Sequence, residues 1–393
     1  MQTLEVRVQP VRAAGGRIRV AAQLHSQQWA GDDLWYELDE EHRDAIVERA
    51  DPFIVASLLL AMREGVALHV RGAPASTSLL RNLEEFQRIW QVWFGLPVVD
   101  LVAEEEREDA RSETAVVAFS GGVDSSFTVF SHAVAPVTRS RDLRAALMIH
   151  GMDIPRSDTA GFEHALARSQ RMLRGVPVQL VPIATNAWDV HGMGTHFPVL
   201  GVASVLHLMG GAFGAGLVSS TASYAELVFP LESTPASDPL LGGSSFEIVH
   251  YGAACSRLEK VRRLAQWPEA IDNLRFCLHH PRHDGNCGRC HKCLITYMTF
   301  RVLGVPPRCF EQVPSDELIL AWSRRLSVNP VFVADIRAIL GEAAARGLDE
   351  PWIRAARRRL RVIAARRSLT DLSPSLSARA FALYARRPRR RQI

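Results

Sequence analysis

Lysine is almost missing from these 393 residues. Lys260 and Lys292 are the whole supply among 46 basic side chains, so the positive charge is carried by guanidinium groups that hold their protons across the physiological range. An unbroken apolar run of about 20 residues, the length that spans a bilayer, is also lacking. The longest uncharged stretch, Val190 to Ala225, contains His191, His196 and His207, is broken by Gly210, Gly211, Gly214 and Gly216, and reads as buried helix, turn and strand. The opening segment MQTLEVRVQPVRAAGG puts arginines where a signal peptide needs continuous apolar residues. Cysteines number only six, and four crowd between Cys277 and Cys293. That clustering excludes a dispersed disulfide framework and suits a metal site in a reducing compartment. A cytoplasmic protein with no membrane partner is expected.

Acidic residues are scarce at one end. Pro351 to Ile393 holds 13 arginines and one acid, Asp371, a net of +12, which leaves 33 basic and 41 acidic residues elsewhere. The formal +4 therefore conceals a body of −8 and a tail of +12. With 47% apolar and 22% charged residues the chain as a whole is too apolar to be disordered, and its length allows two or three domains.

Residues 1–113 read as an α+β domain. Leu4 to Val8 and Arg17 to Ala21 alternate as strands; Asp51-Pro52 supplies a capping side chain and a proline at the first helical position. A second helix starts near Ser76, carries Leu79, Leu83, Phe86, Trp90 and Trp93 on one stripe, and stops at Gly95. The acidic run Glu104 to Arg111 marks a boundary, read as a solvated linker or helix end. From Thr114 short apolar strands (Thr114 to Phe119, Arg144 to Ile149, Val178 to Ile183, Leu217 to Ser220, Phe246 to His250) alternate with helical patterns, which predicts a doubly wound α/β domain over 114–305 with a parallel sheet. Sites in such sheets lie at the carboxyl ends of the strands. Residues 306–393 read as a helical, arginine-rich extension, with helices opening at Asn329-Pro330 and at Asp349-Glu350-Pro351.

The first strand of the α/β unit ends in Ser120-Gly121-Gly122-Val123-Asp124-Ser125-Ser126 and then a helical pattern. Two glycines let the backbone pass close to a ligand with its N–H groups turned inward, the shape a polyanion needs. No lysine follows the glycines, so this is not a GxxxxGK[ST] loop. Asp124 is placed to hold Mg²⁺ on phosphates, and the hydroxyls of Ser120, Ser125 and Ser126 to bond phosphate oxygens; an ordinary capped turn is the other reading. The string resembles the pyrophosphate loop of the ATP pyrophosphatase superfamily, which includes GMP synthetase, asparagine synthetase, tRNA thiolases and 7-cyano-7-deazaguanine synthase. The resemblance implies the adenine nucleotide alpha hydrolase-like fold and cleavage of ATP between the α and β phosphates.

The second motif is Cys277-x9-Cys287-x2-Cys290-x2-Cys293, four thiolates that can close a tetrahedron on a structural Zn²⁺. His279, His280, His283 and His291 are competing ligands, and a [4Fe–4S] cluster is the chemical alternative. Together with Ser256-Arg257-Leu258-Glu259-Lys260-Val261 upstream, this order is similar to 7-cyano-7-deazaguanine synthase from Thr114 to about Gly304. The likeness implies an enzyme that adenylates a 7-deazaguanine carboxylate and couples it to ammonia, with Ser120, Gly121, Gly122, Asp124 and Ser125 on ATP, the four cysteines on zinc and Lys260 near phosphate.

Departures sit at strand ends that should face the pocket. His150-Gly151-Met152-Asp153 replaces the family's Tyr-Gly-Gln, and Phe197 to Gly201 replaces its Pro-x-Arg-Asn stretch, so His150 and Asp153 are candidates to contact the base or the attacking amine. The loop Glu232 to Ser245 is a candidate lid, and Asp238 within it could bind metal or a guanine edge, or simply shape a turn. The extra N-terminal unit and basic tail resemble the synthase-like proteins of anti-phage defence operons, which implies a partner protein as amine donor. A tRNA-modifying thiolase and a non-catalytic nucleotide-binding adaptor are the alternatives. In the tail, Trp352, Ile353, Ala356, Leu360 and Ile363 form an apolar stripe with arginines beside it, suited to docking while guanidinium groups meet solvent, acidic protein or nucleic acid.

Overall fold

The computed structural model describes residues 2–26, 33–190, 198–227, 230–277, 279–280, 285–326 and 330–370. The opening unit contains β1 (Thr3–Val8), β2 (Arg12–Ala14), β3 (Arg17–His25), β4 (Leu34–Asp39), α1 (Asp51–Glu64), β5 (Ala67–Arg71), α2 (Thr77–Phe94) and β6 (Leu101–Ala103). The next contains β7 (Thr114–Ala118), α3 (Val123–Val129), β8 (Asp142–His150), α4 (Thr159–Met172), β9 (Gln179–Thr185), α5 (Ala187–Val190), α6 (Pro198–Leu208), β10 (Ala215–Ser219) and β11 (Glu247–Tyr251). Then come α7 (Arg257–Leu264), α8 (Pro268–Asn273), α9 (His291–Leu303), α10 (Asp316–Arg324), α11 (Pro330–Ala345) and α12 (Pro351–Thr370).

The protein is α/β, built on one large, mostly parallel mixed sheet, with a helical region at its C-terminal end. The sheet runs β11-β10-β7-β8-β9-β4-β3-β1-β5-β6, with β2 hanging from β3. Strands β7 to β11 are all parallel, and β4 joins them antiparallel to β9 through Tyr36 opposite Thr185 and Glu37 opposite Ala184. The N-terminal strands thus extend the same sheet. Chain order reverses at β7, with β8 and β9 on one side and β10 and β11 on the other, which opens a crevice at the carboxyl ends of β7 and β10.

Alternation along the strands sends side chains to two cores, because successive strand residues point to opposite faces. Val116 joins a core shared with α1, α2 and α6, while Ala115 and Val117 join one shared with α3, α8 and α9. A register shift after Ala115 lets β8 keep Leu147 and Ile149 on the first face although one of its residues is skipped. Helix α1 is buried almost all round, as its run PFIVASLLLAM requires.

Helix α2 forms as its sequence demands: Ser76 accepts the Leu79 N–H, Leu79, Leu83, Phe86 and Trp90 are buried, and Gly95 ends it in the left-handed region. Asp51 does not cap α1, because Ala50 holds the cap position; its carboxylate instead accepts the Ser76 N–H at 2.8 Å and pairs with buried Arg49. The acidic run is also more than a solvated linker. Glu108 accepts from Ser76, Ser78 and Ser245, and Asp109 pairs with Arg49. Burial opposes ionisation of Glu108, but hydrogen bonds from Ser245, Ser78 and Ser76 bring its pKa down to about 2.

Helices α9 to α12 enclose a third core in which Trp352, Ile353, Ala356 and Ile363 are buried, so the stripe expected in the tail does dock. The remaining tail arginines, beyond residue 370, and the helix start at Asn329 lie outside the described residues. Among the described residues no helix is long and apolar enough to cross a membrane.

Candidate functional site

At the carboxyl end of β7 the chain turns through Ser120, Gly121 and Gly122 into α3, which continues as one π-helical turn, Phe130–Val134. Gly121 has φ of +71°, a conformation side chains with a Cβ resist. The turn is held internally: the Ser120 N–H and hydroxyl reach Ser125 Oγ at 3.3 Å, and Ser125 Oγ also donates to the Gly122 carbonyl. Ser120, Asp124 and Ser125 line a cleft of about 300 Å³. Gly122 and Val123 line a recess of about 90 Å³ that shares those three residues with the cleft. Ser126 turns away, being fully buried with its hydroxyl on Met172 Sδ at 3.3 Å. One residue along a helix is a rotation of about 100°, so Ser125 and Ser126 cannot serve the same pocket.

Asp124 is the electrostatic centre. Lys260 Nζ donates to its Oδ1 at 2.8 Å and Arg257 Nη2 to its Oδ2 at 3.1 Å. Both donors sit on α7, whose start is a capping box: Ser256 Oγ accepts the Glu259 N–H and the Glu259 carboxylate accepts the Ser256 N–H. Residues three apart share a helix face, so Arg257 and Lys260 reach the same carboxylate. Burial opposes ionisation of Asp124, but Lys260 and then Arg257 outweigh it and hold its pKa below the ordinary value. Lys260 is 1% exposed and also donates to the Ser220 carbonyl, so its ammonium is committed to positioning the loop and β10.

Two more cations border the recess. Buried Arg275 pairs with Asp153 and donates to the Ser120 carbonyl at 3.2 Å, while its own N–H bonds the Gly121 carbonyl at 2.8 Å. Lys292 lines both recess and cleft and makes no ion pair among the described residues. Burial, then the neighbouring Arg257, push its pKa down. Both of the chain's lysines therefore meet at this loop. Their rarity was the one signal that could have exposed Lys292; nothing local marks Arg257 or Arg275.

The far walls of the cleft are apolar: Leu147 and Ile149 from β8, Met152, Trp188 from α5, Val202 from α6 and Val218 from β10. Of the pocket candidates, Asp153 lines the cleft but His150 does not: its Nε2 is 3.0 Å from the Pro155 carbonyl and its ring stacks on Phe162 at 4.4 Å. The turn that holds it needs Gly151, at φ +111°, where a Cβ would meet the Thr185 carbonyl oxygen at 2.0 Å.

Asp238 is fully buried and accepts from Ser233 Oγ, the Thr234 N–H and Ser237 Oγ, with His250 Nδ1 at 2.7 Å. It organises the interior of its loop. That loop is no free lid: Thr234, Ser237 and Leu241 are buried, Asn82 donates to the Gly242 carbonyl at 2.7 Å, and the Ser244 N–H bonds Ser78 Oγ at 2.6 Å. Only Ser233 reaches the cleft. Of the stretch Phe197 to Gly201, Phe197 and the Pro198 side chain lie outside the described residues, and Val199 lines the cleft.

The four cysteines come together as expected. Cys277, Cys287, Cys290 and Cys293 hold their sulfurs within 4.8 Å of one another, with Cys277–Cys290 at 3.7 Å and Cys287–Cys293 at 3.8 Å. A tetrahedron with metal–sulfur arms of about 2.3 Å has edges of about 3.8 Å, so the set fits one ion such as zinc. The His279 N–H points at Cys277 Sγ, and the Arg289 and Cys290 N–H groups at Cys287 Sγ. Hydrogen bonding from Cys290 holds the Cys277 thiol low, while bonding to Cys277 raises Cys290 to about 11. A cation would relieve the crowding of negative sulfur. His279, His280 and His291 fall outside this cluster, and His283 outside the described residues. Cys290 caps α9 and Cys293 lies in its first turn, so the metal loop is what sets Lys292 at the recess.

No protein family, curated protein or solved structure matches this chain.

Proposed function

We propose that this chain is an ATP-dependent adenylating enzyme of the ATP pyrophosphatase type, similar to 7-cyano-7-deazaguanine synthase. It would activate the carboxylate of a 7-deazaguanine and pass the acyl group to nitrogen, either ammonia or an amine of a partner protein. The observation that carries this reading is the convergence of Lys260, Lys292, Arg257 and Arg275 on a glycine turn at the switch point of a parallel sheet, beside an apolar-walled cleft. Asp124, Asp153 and Asp335 engage Lys260, Arg257 and Arg275, which leaves Lys292 with no ion pair among the described residues and suits a polyphosphate. The apolar walls suit a flat heterocycle.

In the reaction a carboxylate oxygen attacks the α-phosphorus, the bond to the bridging oxygen breaks, and pyrophosphate leaves. The amine then attacks the acyl carbon, loses a proton, and expels AMP. The glycine turn, with the hydroxyls of Ser120 and Ser125, would hold the departing pyrophosphate, and Lys292 would meet its charge as it develops. Asp124 is the carboxylate available to Mg²⁺, positioned by Lys260 and Arg257. The cysteine set has no open position for substrate, so zinc there would be structural.

Incubation with ATP, Mg²⁺ and 7-carboxy-7-deazaguanine, with ammonia or the partner protein as amine, should yield AMP and pyrophosphate in equal amounts. Release of ADP and phosphate would overturn the reading. AMP formed only with tRNA present would favour a thiolase, and ATP binding without AMP would favour an adaptor.

A further inference from the structure

Many arginines of the described body are matched to carboxylates, among them Arg17 with Asp39, Arg49 with Asp51, Arg111 with Glu247, Arg262 with Glu342, and Arg301 with Glu350 and Asp316, while others such as Arg81, Arg88 and Arg174 stand singly without an ion pair among the described residues. At the exposed end of the α10–α12 layer several such arginines gather in one place. Arg324 on α10 and Arg357, Arg358 and Arg361 on α12 make no ion pair among the described residues, and Arg359 donates only to the Leu326 carbonyl. Arg324, Arg358 and Arg359 line a groove of about 410 Å³ whose other walls are Ala355 and Val362, with no acidic residue.

Helix α12 carries no Asp or Glu from Pro351 to Thr370. The acids nearest its start, Asp349 and Glu350, are taken by Arg354 and Arg301. The helix macrodipole accounts for Arg324, the last residue of α10, but not for the arginines of α12. It favours cations only in the last turn, whereas Arg357 to Arg361 lie in the middle of this 20-residue helix. Nor does packing, since the helix docks through Trp352, Ile353, Ala356 and Ile363 on another side.

We infer that this groove is a docking surface for the phosphodiester backbone of a nucleic acid. A protein partner needs a buried apolar or aromatic anchor, and this face presents only Val362, at 43% exposure. Guanidinium forks beside only two small apolar side chains suit a partner whose contribution is dense, uniform negative charge and released counterions. Six more arginines follow α12 in residues 371–393 against one acid, which continues the charge along the chain. With no exposed aromatic lining the groove, contact is to backbone and carries little base preference. This inference rests on surface charge and is independent of the adenylation reading.

The test is fluorescence anisotropy of the full chain with a labelled poly-U RNA of about 20 nucleotides, a DNA duplex of about 20 base pairs and a poly-glutamate of similar length, between about 50 and about 200 mM NaCl. One or both nucleic acids should bind with an affinity that falls steeply with salt, the pair of arms showing whether single strand or duplex is preferred. The double variant Arg324→Glu/Arg358→Glu, at two exposed positions, should melt as the parent does, bind at least about tenfold more weakly, and lose roughly 1.5–2 from the salt slope. Unchanged affinity in that variant, no nucleic-acid binding by the parent, or equal affinity for poly-glutamate would each overturn the inference.

Discussion

Replacing Lys260 by Met keeps the length of an apolar stem and deletes one buried charge. In the parent, Nζ lies 2.8 Å from Asp124 Oδ1 and bonds the Ser220 carbonyl, and the residue is 1% exposed. Removing one partner of a fully buried pair costs about 3–5 kcal/mol because the other charge is stranded. Here Asp124 keeps Arg257 at 3.1 Å and is 19% exposed, which brings the loss nearer 2 kcal/mol. The stranded Ser220 carbonyl adds about 1 kcal/mol. Urea unfolding followed by tryptophan fluorescence should therefore show a loss of about 3 kcal/mol at neutral pH, read as a lower midpoint at constant slope.

The sign of the pH dependence follows from the carboxylate. Lys260 and Arg257 overcome burial and hold Asp124 below its ordinary value of 3.8. Its contribution is thus present above that value and lost as pH falls through the lower folded pKa. In Lys260→Met the folded pKa moves back up, so acid unfolding begins at higher pH, and the gap between variant and parent shrinks once Asp124 is protonated in both. A loss under about 0.5 kcal/mol at neutral pH, the size of an exposed pair, would refute the reasoning, as would a gap that persists unchanged in acid.

Two further outcomes are expected. The purified chain should contain one zinc per molecule by elemental analysis, and Cys290→Ser should lower that content and the melting temperature together; full metal content in the variant would remove Cys290 from the ligand set. Asp335 is buried beside Arg257 at 3.9 Å, and burial lifts its pKa to about 6 despite that arginine. A raised carboxyl contributes stability that is present below its unfolded pKa and lost as pH rises through the folded value. Asp335→Asn should therefore raise stability near pH 8 by up to about 3 kcal/mol, seen as a higher urea midpoint, and leave it unchanged near pH 3. Destabilisation near pH 8 would show that pairing with Arg257 outweighs burial.

How far the site was legible depended on how local its geometry is. Ser120 to Ser125 could be read because a strand end, two glycines and a helix start are consecutive in the chain, and three of the four cysteines lie within seven residues. Ser126, His150 and Asp238 carried plausible chemistry but face Met172, Phe162 and His250. A side chain's direction depends on helix phase and neighbouring loops, which residue type does not report. Arg257, Arg275 and Lys292 carry no local sequence mark of a role, yet they surround Asp124 and Asp153.

The scarcity of lysine, the four clustered cysteines, the glycine turn and the separation of an acidic body from a basic end belong to the sequence alone, since composition and short spacing need no fold to exist. Tertiary structure decided the rest. Strand β4 joins β9 across some 150 positions and makes the N-terminal unit part of one sheet. The packing of α7 and α9 beside the glycine turn brings the chain's two lysines to one loop. Such meetings depend on which edges and faces remain to be covered once local elements have formed, and that is settled only by packing the whole chain.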